Sequence, residues 1–176
     1  MNNIISDTKK MLAGCTFLLL AFIQPVIAQN ADVKQNFNKS LNSYYALKNA
    51  LAADQSAEAP VLAATLSKTV KEMPNTGFAS DKQQKLWTLE SGKIQAQASQ
   101  LSQSNDLKAQ RKSFEGISTA FVTLTRELKM NNAPVFVQYC PMAKSTWLNE
   151  VKEIQNPYYG NAMKDCGSVK ESIEKR

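Results

Sequence analysis

Four amphipathic segments constrain the fold of this chain more than any other feature of its sequence. In each segment apolar residues recur at three- to four-residue spacing, which places them on one face of a helix. The clearest stripe contains Phe114, Phe121 and Leu128. Four such helices cannot bury their apolar faces singly, so the pattern predicts a mainly all-α fold, an up-and-down four-helix bundle with Phe114 and Phe121 central. The expected helices span roughly 31–53, 57–73, 80–103 and 106–129.

Turn-forming residues separate the four segments. Residues 53–57 hold the first turn, and the sequence Pro-Asn-Thr-Gly at 74–77 ends the second helix. Ser80 and Gln83 have the spacing of a capping box, in which the two side chains satisfy N–H groups at a helix start. Asp106 is a suitable N-cap for the fourth helix.

The N-terminus has the order of a cleavable signal peptide, over residues 1–28. Two lysines precede an uncharged apolar run at 11–23, and Pro-Val-Ile-Ala at 25–28 supplies small or β-branched residues before Gln29. The apolar run is too short to cross a hydrocarbon core of about 30 Å as a helix. We therefore expect a periplasmic or secreted protein that starts at Gln29 and has no stable membrane span after cleavage.

A lipoprotein-like sequence inside this segment offers an alternative. Leu-Ala-Gly-Cys ends at Cys15, and lipidation there would anchor the protein. In a lipoprotein signal the apolar run comes before the cysteine, whereas here most of it follows Cys15. Cleavage before Gln29 is the favoured interpretation.

Composition excludes several classes of function. The sequence contains no histidine, so it cannot form a Ser-His-Asp or Cys-His catalytic group or a His-ligated zinc or haem site. It also lacks a G-x-x-x-x-G-K-[ST] phosphate loop and a G-x-G-x-x-G turn. The segment 1–28 carries two lysines and one aspartate, so its removal lowers the formal net charge from +6 to +5. These basic residues are scattered, and we expect neither an enzyme nor a nucleic-acid-binding protein.

The character of the sequence changes after the fourth helical segment. Residues 135–139 are rich in β-branched and aromatic side chains and predict one short extended segment. Cysteine, methionine, tryptophan and proline are concentrated at positions 140–166. We therefore expect a single domain over 29–176, with the bundle at 31–129 and a Cys/Met-bearing cap at 135–176 that carries the function.

Four sulfur-bearing side chains in the cap suggest a metal site. Cys140 and Met142 are two residues apart, which in an extended chain places both on one side. Met163 and Cys166 are three apart, which in a helical turn places both on one face. Thiolate and thioether are soft donors that select Cu(I) over hard cations. The four side chains are therefore candidate ligands for copper.

A simpler interpretation needs no metal. An even number of cysteines in an oxidising compartment favours a disulfide between Cys140 and Cys166, and closing that segment would contribute roughly 3.5 kcal/mol on the loop-entropy model. The methionines would then be core fillers. Trp147, Tyr158 and Tyr159 would form a hydrophobic plug or a surface for a protein or small-ligand partner. Binding of metal by reduced thiols could also alternate with the disulfide.

Several motifs resemble a bacterial family labelled domain of unknown function 3347. The motifs are Tyr-Cys-Pro-Met (139–142), Trp-Leu (147–148), Ile-x-Asn-Pro-Tyr-Tyr-Gly (154–160), Met-x-x-Cys-Gly-x-Val (163–169), the stretch 44–51 and Gln-Arg-x-x-Phe (110–114). The resemblance implies a secreted or periplasmic helical domain, found in relatives fused to or beside periplasmic adaptor subunits of copper and silver efflux pumps. It thus favours copper as cargo and a heavy-metal efflux component as partner.

The chain departs from that family at two places. Some members have a histidine before the Tyr-Cys pair, where this chain has Gln138, and many have a longer stretch before Trp-Leu than residues 143–146. No adaptor domain accompanies the helical segments. A role in efflux would therefore be that of a separate partner.

Overall fold

The computed structural model describes residues 24–175, with side chains from residue 31 onward. Most of the predicted signal peptide, residues 1–23, therefore lies outside the described residues. The helices are α1 (Gln24–Ala52), α2 (Ala59–Lys71), α3 (Asp81–Ser102) and α4 (Leu107–Leu128). The prediction of a mainly helical bundle is confirmed, and the breaks between helices fall where the sequence placed them.

Local sequence accounts for the helix boundaries. The Ser80 hydroxyl accepts the Gln83 N–H at 3.3 Å, as expected for an N-cap, and the Gln83 side chain accepts the Ala79 N–H at 3.2 Å. Asp106 caps α4 by accepting the Ala109 N–H at 2.8 Å. No helix within residues 24–175 is long and apolar enough to cross a membrane.

An aromatic cluster joins the first and last helices at the centre of the core. The Tyr44 ring of α1 lies 5.4 Å from the Phe114 ring and 4.8 Å from the Phe121 ring, centroid to centroid. Both phenylalanines are fully buried, which confirms their predicted central position.

The cap contains more β-structure than the sequence predicted. Three strands form an antiparallel sheet in the order β2-β1-β3: β1 (Val135–Cys140), β2 (Ser145–Asn149) and β3 (Ser168–Ile173). Only the first of them was expected. β2 is short, and β3 is mostly exposed and polar, so neither has the strong apolar alternation of a recognisable strand.

A chain of buried hydrogen bonds fixes the sheet to the helices. The Leu148 N–H donates to the Tyr44 hydroxyl oxygen at 3.0 Å, and Tyr44 lies 2.7 Å from the Ser118 hydroxyl. Ser118 in turn donates to the Thr146 carbonyl at 3.0 Å. Helices α1 and α4 therefore set the position of β2, and through it the position of β1.

Candidate functional site

The two cysteines of the cap lie side by side. Cys140 ends β1 and Cys166 precedes β3, and the two strands are paired through Tyr139 and Ser168. Their Sγ atoms are 3.7 Å apart, well beyond the bonded distance of about 2.05 Å, and both residues are free thiols. The expected proximity is observed, but the pair is a dithiol where the alternative interpretation expected a disulfide.

Asn156 organises the segment that brings Cys166 to Cys140. Its buried side-chain amide donates to the Cys166 carbonyl at 2.9 Å and its carbonyl oxygen accepts the Tyr158 N–H at 2.9 Å. Its backbone N–H donates to the Lys164 carbonyl at 2.9 Å. The residue thus closes the loop between β2 and β3, although the sequence pattern alone gave it no role.

Hydrogen bonds at Cys140 favour its thiolate form. Burial raises the pKa of this thiol, but donation by the Ala143 N–H, at 3.4 Å, by the Asn156 side chain, by Cys166 and by the Met142 N–H outweighs burial, and the pKa lies below its ordinary value. The pKa of Cys166 is raised, first by its hydrogen bond to Cys140 and then by burial. A proton on the pair is therefore held more readily by Cys166 than by Cys140.

Both candidate methionines lie at the surface, each two or three residues from a cysteine in the sequence. Met142 is in the turn between β1 and β2 and is 61% exposed, while Met163 is 38% exposed. Neither is a core filler, since core residues are almost wholly buried. The thioethers are accessible to an incoming ion.

The local geometry of the two sulfur pairs differs from the prediction. Met142 follows the end of β1 and lies in a turn, not in an extended chain with Cys140. Met163 and Cys166 are joined by a turn in which the Cys166 N–H donates to the Met163 carbonyl at 3.1 Å, and no α-helix is formed. Each methionine nevertheless stays within one turn of a cysteine. Within residues 24–175 no cluster of three or more His, Cys, Asp or Glu side chains could hold a metal ion.

A clamp from the helices holds the loop that carries Asn156. Arg111 on α4 donates from Nε to the Pro157 carbonyl at 2.9 Å and from Nη2 to the Leu51 carbonyl at 2.9 Å, and it pairs with Asp54. Asp54 also accepts the Asn161 N–H at 3.0 Å. The Gln-Arg-x-x-Phe motif and the Asn-Pro-Tyr-Tyr-Gly motif, which are distant in sequence, are therefore in direct contact.

Gly160 is required for the clamp to close. It adopts φ +55°, and a Cβ at this position would collide with the Asp54 carboxylate and the Arg111 guanidinium. Only glycine combines that backbone conformation with that approach.

A buried lysine makes a second connection between helix and cap. The Lys48 side chain is fully buried, with its Nζ 2.5 Å from Asn149 Oδ1, 2.9 Å from Gln155 Oε1 and 3.1 Å from Glu150 Oε2. Burial lowers the pKa of Lys48, and the carboxylate of Glu150 opposes that shift. This ammonium group therefore joins α1 to the residue that precedes Asn156.

Gln138 occupies the position at which some relatives have a histidine. Its side chain is buried, and its Nε2 lies 3.1–3.2 Å from the carbonyl oxygens of residues 151–153. Its Oε1 accepts from Asn149 at 3.1 Å. Both ends of the Gln138 amide form hydrogen bonds that hold the loop, so this side chain is not placed as a metal ligand.

The three aromatic residues of the cap do not form one surface. Trp147 is fully buried, its ring 6.0 Å from that of Tyr158, so a partner cannot reach it and the expected three-residue surface is corrected. The Tyr158 hydroxyl donates to the Thr146 carbonyl at 2.7 Å. Tyr158 and Tyr159 line an open groove of about 680 Å³ together with Arg111, Lys108, Ala143 and Ser145.

Comparisons with known proteins identify the helical part of the chain. Residues 41–133, more than half of the sequence, match the family described as "Protein of unknown function (DUF3347)". The match includes the C-terminal part of α1, residues 41–52, and all of α2, α3 and α4, and ends before β1. No curated protein and no solved structure matches the chain. The chain therefore belongs to the DUF3347 family, as the motifs indicated.

Proposed function

We propose that this protein is an exported accessory protein that binds a soft metal ion, Cu(I) first, at the Cys140–Cys166 thiol pair and transfers it to a partner. The single observation that carries the proposal is the 3.7 Å separation of the two Sγ atoms in unbonded thiols. Thiolates are the strongest soft donors in proteins.

The separation of the thiols is compared with the distances that different coordination geometries need. With metal–sulfur bonds of about 2.3 Å, as found for zinc thiolates, sulfurs 3.7 Å apart subtend an angle of about 107° at the ion. A linear two-coordinate ion would need them about 4.6 Å apart. The pair therefore suits a three- or four-coordinate ion and leaves one or two positions for other donors.

Met142 and Met163 are the donors suited to complete the site. Each lies within one turn of a cysteine and exposes its side chain, and a thioether matches the softness of the thiolates. Because a ligating thiol must be deprotonated, the hydrogen bonds at Cys140 also favour binding. Weak, exposed thioether ligands next to one buried and one partly exposed cysteine suit exchange with a partner better than permanent storage.

The proposed partner is a component of a heavy-metal efflux system in the same compartment. Support comes from the signal-like order of residues 1–28 and from the metal-efflux setting that the family resemblance implies. The absence of histidine from the sequence supports a role in transport of an ion over a role as an enzyme.

Anaerobic titration of the reduced protein with Cu(I), against a competing chelator, tests the proposal. We expect about one equivalent to bind, binding to be lost in Cys140→Ser plus Cys166→Ser, and affinity to fall in Met142→Leu plus Met163→Leu. Leucine preserves bulk but removes the donor. Met130→Leu is the matched control and should not change affinity. Met130 lies two residues beyond the C-terminus of α4, outside the segment that carries the cysteines.

Failure of reduced wild type to bind Cu(I) would overturn the proposal. Unchanged affinity in the double leucine variant would remove the methionines from the site.

The groove beside Tyr158 and Tyr159 favours the second candidate, a module that binds a protein or small ligand without metal. A protein with that function would still bind its partner after Cys140→Ser plus Cys166→Ser and after Met142→Leu plus Met163→Leu.

A further inference from the structure

The two thiols of the pair differ sharply in accessibility. Cys140 is fully buried, whereas Cys166 is partly exposed. An external reagent can therefore reach Cys166 more readily than Cys140. The two Sγ atoms are 3.7 Å apart, so within residues 24–175 each thiol has the other as its neighbour.

We propose that Cys166 is a modification site for low-molecular-weight disulfides and that Cys140 is the thiol that resolves the resulting adduct. In the first step the Cys166 thiol passes its proton to the adjacent Cys140 thiolate. The Cys166 sulfur then attacks one sulfur of the external disulfide, forms a mixed disulfide and releases one thiolate, which takes that proton from Cys140. In the second step the Cys140 thiolate attacks the Cys166 sulfur, forms the Cys140–Cys166 disulfide and releases the other half as a second thiolate. The protein loses two protons and two electrons, and the external disulfide is reduced to two thiols.

The scaffold keeps the two cysteines together for the second step. Gly167 follows Cys166 and lies so close to the sheet that a Cβ there would be 2.9 Å from Trp147 Cη2 and 3.0 Å from the Tyr139 carbonyl oxygen. Together with the Asn156 bond to the Cys166 carbonyl, this contact keeps Cys166 next to β1. The second step needs only a small side-chain movement, because the resolving sulfur is already adjacent.

The proposal adds a means of control to the metal site. A Cys140–Cys166 disulfide has no thiolate to offer an ion, so oxidation would release bound metal. This consequence rests on the proposed function, whereas the order of attack does not. The test is therefore made without metal, so that the two proposals can fail separately.

The experiment treats reduced protein with oxidised glutathione and follows intact mass with time, with Cys15→Ser in every sample. We expect wild type to end as an intramolecular disulfide, lighter by two hydrogens, with no lasting adduct. Cys140→Ser should accumulate one stable glutathione adduct. Cys166→Ser should react at least about tenfold more slowly than Cys140→Ser, because its remaining thiol is buried.

Equal reaction rates for the two serine variants would overturn the proposal, as would a lasting adduct in wild type. Peptide mapping of wild type quenched at early times provides a measurement that does not depend on the folding of a variant. The transient adduct should be on Cys166, and an adduct found mainly on Cys140 would contradict the proposed order.

Discussion

The four helices are joined by apolar stripes, whereas the cap at residues 135–175 adds a set of long-range hydrogen bonds to the apolar side chains, such as Trp147 and Leu148, that it buries in the same core. In the helices the central contacts are ring against ring, as between Tyr44 and Phe121. In the cap they are hydrogen bonds of Asn156, Arg111 and Lys48. Hydrogen bonds fix direction, so the polar contacts of the cap set the position of the loop that leads to Cys166, while its apolar side chains join the core.

The largest expected effect is in the bundle. Phe114→Ala should lower the free energy of unfolding by about 3–5 kcal/mol, because it leaves a cavity in the fully buried core between α1 and α4. Urea unfolding followed by far-UV circular dichroism measures it. A loss below about 1 kcal/mol would show that the aromatic cluster does not hold the bundle together.

Loss of the loop-closing asparagine should affect the site more than the fold. Asn156→Ala leaves the Tyr158 N–H and the Cys166 carbonyl without their partner, which costs about 1–3 kcal/mol. It should also weaken Cu(I) binding by about tenfold or more, as for other residues that orient metal ligands. Asn36→Ala is the control and should leave affinity unchanged, because the Asn36 side chain is half-buried and bonds to the Asp32 carbonyl within α1. Equal affinity in both variants would separate Asn156 from the site.

Two glycines provide the smallest and most closely matched comparison. Gly160→Ala should destabilise the protein by about 1–3 kcal/mol, since it combines positive φ with a collision at the clamp. Gly92→Ala, on the exposed face of α3 with open space around it, should stabilise it by about 0.5–1 kcal/mol. Thermal unfolding of both variants measures the difference. A shift of the same sign in both would contradict the clamp.

The same contrast explains how far the sequence could predict the structure. Helix positions, their breaks and the central phenylalanines follow from periodicity and capping, which are local signals. The bonds from Arg111 to the Pro157 carbonyl and from Lys48 to Asn149 join residues far apart in sequence, and no local pattern indicates them.

The sequence predicted that the two cysteines lie close together, but it did not predict the turns in which the candidate methionines lie. The Cys140–Cys166 proximity was expected from the count and spacing of the cysteines, and it is observed. The turns around Met142 and Met163 were missed because a two- or three-residue spacing fits turns as well as it fits strands or helices. β3 was missed because a polar edge strand lacks an apolar pattern.

X-ray absorption at the copper edge of the reduced protein loaded with one equivalent of Cu(I) tests the central claim most directly. The 3.7 Å thiol separation predicts a first shell of three or four sulfurs at about 2.3 Å, two from the cysteines and the rest from methionine. Met142→Leu plus Met163→Leu should lower the number of sulfurs. A linear two-sulfur shell, or one dominated by nitrogen and oxygen, would contradict the account.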